Sequence, residues 1–158
     1  MEPDAHIAEV GRLVTLLQML ETGLRAALTL VDPGLYQPWR WEDLQVGRDV
    51  PEDAFTDYES LGATIGRYNA RVDAAHQLAA GPIVALRDAL AHARVVPVGA
   101  TGYPLRLVKF GKATAAKRIP IERIDDLTEA WFAQNIELVT RAIATVARLM
   151  VAVAPRRP

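Results

Sequence analysis

Arginine, aspartate and histidine come together in an otherwise apolar stretch, Arg87-Asp88-Ala89-Leu90-Ala91-His92. These side chains form a set that can move a proton beside an anion. Histidine, with an ordinary pKa of about 6.5, serves as base or acid at neutral pH. Arginine keeps its charge and grips a phosphate with a fork of N–H donors. On a helix Asp88 and His92 are i and i+4, close enough for the carboxylate to hold one imidazole nitrogen. The same arginine-to-histidine spacing recurs in Arg71-Val72-Asp73-Ala74-Ala75-His76. There valine follows the arginine, and Val72 and Ala75 fall on the apolar stripe of a helix. His76 is therefore expected to be a boundary histidine packed between helices, and the site is assigned to Arg87, Asp88 and His92.

Successive residues of an α-helix turn by about 100°. Ile83, Leu86 and Leu90 then fall in one narrow core-facing sector, Arg87 borders it, and Asp88 and His92 point away. The rest of this helix is apolar or small (Val84, Ala85, Ala89, Ala91, Ala93). So little polarity predicts a second covering element: the following hairpin, the last helix, or another copy of the chain.

The elements that must hold this helix follow from periodicity. Ile7, Val10, Val14, Leu17, Leu20, Leu24, Leu28 and Val31 predict a first helix from about Asp4 to Val31, stopped by Asp32-Pro33-Gly34. Leu35 to Phe55 reads as an ordered connection whose Tyr36, Trp39 and Trp41 pack on the bundle. Thr56 and Glu59 have capping-box spacing and predict a second helix, its stripe running from Tyr58 to Ala79. Pro82 suits the first turn of the third helix, which ends near Ala93. Val95 to Phe110 predicts a small β-hairpin around Gly99-Ala100-Thr101-Gly102. Gly111 to Pro120 is a basic loop, and the last helix opens near Asp125 or Asp126 and closes at Pro155. The expectation is an all-α fold: a single domain over 1–158, an up-and-down bundle of about four helices with a hairpin inserted after the third.

Apolar residues are 51% of the chain and charged residues 23%, a globular composition able to close a core. The absence of cysteine removes thiol catalysis and disulfides and fits a reducing interior. An acidic N-terminus and the charges Glu9, Arg12, Glu21 and Arg25 argue against a signal peptide and a membrane span, so a cytoplasmic protein is expected. No metal-ligand cluster, phosphate loop or cofactor motif is present in the sequence. Although net charge is −1, charge is segregated: seven acids and one arginine between Glu42 and Glu59, then six cations and no acid between Ala89 and Ile121. Those six are Arg94, Arg106, Lys109, Lys112, Lys117 and Arg118. They begin beside His92, which makes them candidates for holding a phosphate backbone.

Arginine, four to six residues, then histidine, with Asn, Asp or His after the arginine, is the mark of HEPN domains, which residues 87–92 resemble. The resemblance covers those six residues. It implies a small helical bundle and a symmetric homodimer whose two motif helices face each other. The implied activity is metal-independent endoribonuclease action without a cofactor, with His92 as base or acid, Arg87 on the phosphate and Asp88 orienting His92. It also implies settings such as a toxin or defence system, with a nucleotidyltransferase-type antitoxin as partner. Two other readings stand beside it: a non-catalytic HEPN-like module that binds RNA, a nucleotide or a partner protein, and a purely structural helical dimer.

Overall fold

The computed structural model describes residues 3–32, 45–98 and 104–153. The expected aromatic connection with Tyr36, Trp39 and Trp41, the 99–102 turn and the Pro155 stop lie outside them. Among the described residues the order is α1 (Pro3–Val31), α2 (Leu61–Asn69), α3 (Ala80–His92), β1 (Arg94–Pro97), β2 (Leu105–Phe110), β3 (Ile121–Asp126) and α4 (Glu129–Val153). The all-α expectation is overturned, because the strands form an antiparallel sheet in the order β1-β2-β3. The fold is mixed α and β, with a minor sheet.

The missed strand is β3, and its sequence explains why. Ile-Glu-Arg-Ile-Asp-Asp carries no apolar run, and its acids resemble a helix start. Asp126 instead sits opposite Arg106 on β2, and Ile124 sits opposite Val108. The cap is taken over by Thr128, whose hydroxyl accepts from the Trp131 N–H at 3.2 Å. The last helix therefore opens at Glu129 rather than at Asp125 or Asp126.

The chain divides into two compact units, Met1–Leu17 with Gly81–Thr140, and Gln18–Ala80 with Arg141–Pro158. The first unit holds α3 and the sheet. Its core is Ala89 of α3, Leu107 of β2, Leu127 and Phe132, ringed by Val10, Leu90, Ala93, Leu105, Trp131 and Ile136. His6 is buried there with its ring edge-on to Phe132 at 5.2 Å, and burial holds it below the ordinary imidazole range.

In the second unit Arg25 organises the chain. Its guanidinium donates to the Glu59 carbonyl at 2.8 Å, the Asp57 carbonyl at 3.0 Å, the Asp57 carboxylate and Glu21. Arg67 binds the other Asp57 oxygen and Glu59, each at 2.7 Å. Held this way, residues 57–60 cannot enter a helix, so the Thr56–Glu59 capping box is not formed. Ser60 is the N-cap instead, and Asp53 accepts from the Phe55 and Thr56 N–H groups. At the other end the Asn69 side chain donates to the Leu78 carbonyl and accepts from its N–H, pinching off residues 70–77 as turns. The second helix is thus far shorter than its apolar stripe suggested. α1 has the expected extent. By length and composition alone it is apolar enough to cross a membrane, and its Leu13, Leu17, Leu20, Leu24 and Leu28 are buried in the structure.

Arg25→Ala should cost about 1–3 kcal/mol of unfolding free energy in urea titrations, because the largely buried Asp57 carboxylate keeps the Arg67 guanidinium but loses that of Arg25, and the carbonyls of residues 57 and 59 lose their donor. The pH dependence has two parts. Burial raises the Asp57 pKa, but the hydrogen bonds from Arg25 and Arg67 outweigh it and hold the group below the ordinary carboxylate range. A depressed carboxyl stabilises the fold above its unfolded pKa of about 4, and that contribution is lost as pH falls further. Buried His6 resists protonation, so the unfolded chain takes up a proton first and an earlier loss begins at about pH 6.5. Urea midpoints between pH 7 and pH 3 should fall in these two steps, and Asp57→Asn should flatten the lower one.

Candidate functional site

α3 opens with Pro82 in its first turn, where no intrahelical N–H bond is needed, and closes with the Ala93 N–H on the Ala89 carbonyl at 2.9 Å. Ile83, Leu86 and Ala89 are its buried residues, with Leu90 and Ala93 packed at the edge of the same core. The buried sector is therefore turned toward Ala89 relative to the expected one. Part of the predicted cover comes from the sheet and α4, through Leu107 and Phe132. Around the remaining face, in order, lie Arg87, Ala91, Val84, Asp88, His92 and Ala85, all exposed or half-exposed.

On this face the Arg87 side chain is 42% exposed and that of Asp88 37%, with a long 3.5 Å contact between them. His92 is exposed and, among the described residues, forms no hydrogen bond or ion pair. The expected Asp88–His92 contact is absent, because the Asp88 carboxylate leans toward its neighbour Arg87. An oriented histidine occurs instead in the second segment, where His76 Nδ1 lies 2.8 Å from Asp73 Oδ1. That segment is not helical. Asp73 accepts from the Ala75 and His76 N–H groups in a turn, so Arg71 and His76 share no helix face. Val72 is only half-buried and Ala75 is exposed, which corrects their assignment to a core stripe. His76 sits half-buried in a turn rather than between helices, and Arg71 binds Asp32 at 3.0 Å. Asn69 and Asp73, both turn formers, were the signal that could have stopped the predicted helix.

The six cations divide into two groups. Arg106 is held two-pronged by Asp126 at 2.5 and 3.1 Å, and Lys109 lies 3.5 Å from Glu122. Their charges are largely matched by acids that β3 brings back across the sheet. Arg94 lies over the Phe110 ring, 5.5 Å from its centroid. Lys112, Lys117 and Arg118 are exposed and form no ion pair among the described residues. The loop carrying them is folded: Gly111 N–H donates to the Pro120 carbonyl, Thr114 N–H to Arg118, and Lys117 N–H to Thr114, with Lys117 at φ +55°. Lys117 thus takes the left-handed conformation that a tight turn requires.

Among the described residues no three His, Cys, Asp or Glu side chains are grouped to hold a metal ion. No protein-family model matches the sequence, and no curated protein or solved structure shows detectable similarity to it.

Because His92 is exposed and unbonded, His92→Ala should change unfolding free energy by no more than about 0.5 kcal/mol. His76→Ala, which removes the bond to Asp73, should lower the melting temperature by more. Thermal melts of the two variants side by side test this, and an unchanged His92→Ala melt makes any loss of activity attributable to the imidazole itself.

Proposed function

We propose that the chain is a metal-independent endoribonuclease of the HEPN type, acting in the cytoplasm as a homodimer. The observation that carries the reading is the accessible α3 face, on which Arg87, Asp88 and an unengaged His92 stand among alanines, two residues before Arg94 at the start of the sheet. Around the helix Arg87 and His92 lie about 140° apart, so one copy cannot easily close both on the same phosphate. A second copy packing its small-residue face against the first supplies the complementary pair. One imidazole takes the proton of the RNA 2′-OH, whose oxygen attacks the adjacent phosphorus. Arg87 balances the charge gathering on the phosphate oxygens, and the second imidazole protonates the departing 5′-oxygen. The products are a 2′,3′-cyclic phosphate and a 5′-hydroxyl. Lys112, Lys117 and Arg118 hold the backbone without reading sequence. A toxin or defence role, with a nucleotidyltransferase-type antitoxin as its partner, belongs to the same proposal.

The absent Asp88–His92 contact favours a second reading, a HEPN-like module that binds RNA, a nucleotide or a partner protein without cutting. Activity assays separate the two. Under the ribonuclease reading cleavage persists in excess EDTA, spares DNA, and leaves cyclic phosphate ends. His92→Ala lowers the rate by about 10²–10⁴-fold, Arg87→Ala lowers both rate and binding, and His76→Ala leaves cleavage largely intact. Light scattering at micromolar concentration should show a dimer. RNA bound tightly but never cut, with binding indifferent to His92→Ala, supports the module instead. Cleavage lost in His76→Ala and kept in His92→Ala transfers the site to residues 71–76.

A further inference from the structure

The sheet has an outer face that the ribonuclease reading does not use. Leu107 points into the core, so its neighbours on β2, Arg106, Val108 and Phe110, point outward. Cross-strand partners share that face: Val108 lies opposite Arg94 on β1 and Ile124 on β3, and Phe110 lies opposite Ile121. Phe110 is 43% exposed, Ile124 52% and Ile121 58%. A β-bulge at Lys109/Phe110 shifts the register at this end, and Glu122, the acid beside it, is engaged by Lys109. Directly after Phe110 comes the folded loop with Lys112, Lys117 and Arg118.

We propose that this face is a stacking platform for unpaired RNA nucleotides, with Phe110 and the Arg94 guanidinium receiving bases and the 111–120 loop receiving phosphates. The proposal rests on the ribonuclease reading for its ligand and adds where and how the strand is held. A half-exposed aromatic ring with a guanidinium over it accepts a base of any identity, stacked on the ring or on the guanidinium plane, and adjacent unmatched cations accept the backbone. The acids on the face, Asp126 and Glu122, are already bound by Arg106 and Lys109. Arg94, Lys112, Lys117 and Arg118 therefore leave a net positive surface. A second copy docked here would bring like charges together, and an apolar protein partner would have no use for them. Duplex RNA keeps its bases stacked on one another and offers no ring to Phe110. Arg94 is two residues from His92, at most about 7 Å of chain. A nucleotide stacked at Arg94 and Phe110 thus leads its neighbouring phosphates to the end of α3.

The test is fluorescence anisotropy with the full chain and a fluorescein-labelled single-stranded 12-mer RNA, 2′-O-methylated throughout so that it cannot be cut. A hairpin duplex of the same composition is the comparison. Phe110→Leu keeps the apolar contact but loses the ring, and should weaken single-strand binding about tenfold, whereas Phe110→Trp should restore it. Lys112→Ala should weaken binding less and lower the salt slope by about one. Wild-type binding that is unchanged in Phe110→Leu, or equally tight to the duplex, overturns the platform and leaves the ribonuclease reading standing. A dimer broken by Phe110→Leu with RNA affinity intact also overturns it, by making the face a protein interface. Binding through Phe110 without cleavage of unmodified RNA overturns the ribonuclease reading alone. Neither binding nor cleavage overturns both.

Discussion

Ala89 has no exposed surface, and it touches bottom against Leu107, Leu127 and Phe132. That contact fixes the rotation of α3 about its own axis, on which every property of the candidate site depends. With Ala89 inward, Arg87, Asp88 and His92 are turned to the open side, and the alanines between them leave that side nearly flat. A larger residue at 89 would push α3 off the sheet and rotate the face, since a filled core has no slack to absorb added volume.

The sheet performs a second task, on charge. Antiparallel pairing returns Asp126 across from Arg106 and, at the bulge, Glu122 within reach of Lys109, matching two of the six cations that stand together in the sequence. The unmatched ones are gathered at one end of β2, next to an exposed phenylalanine. Surface pairs of this kind add little stability. Their consequence lies in where they leave positive charge uncompensated, which is what a polyanion would meet.

In the second unit a buried guanidinium works beside the apolar core of Leu20, Leu24, Leu28, Ile65 and Tyr68 and fixes where the chain turns into α2. Arg25 takes backbone carbonyls from residues 57 and 59 that a helix would have used internally. Such a site is sensitive to loss of the arginine, because its removal takes one of two guanidinium partners from the Asp57 carboxylate and the donor from both carbonyls. The same hydrogen bonds explain why residues 57–60, after the turn closed by the Asp57 N–H on the Asp53 carbonyl, stay out of the helix although their composition favours a helix start.

Local sequence determined the long elements and the chemistry on offer. The periodicity of α1 and of the main part of α4, the position of α3, the two hairpin strands and the basic loop follow from spacing and from proline and glycine, which act within a few residues. The set Arg87, Asp88 and His92 was legible for the same reason, as was its placement away from Ile83 and Leu86. Tertiary structure decided the rest. β3 exists because β2 offers a paired edge and Arg106 a partner for Asp126, a contact 20 residues distant that no local pattern encodes. The start of α2 was set by Arg25, more than 30 residues upstream, and its end by the Asn69 side chain bonded to Leu78. Whether Asp88 bonds to Arg87 or to His92, both within helical reach, depended on side-chain geometry that spacing leaves open. Helical periodicity is a property of neighbours, whereas strand pairing and buried charge are settled between residues far apart in the chain.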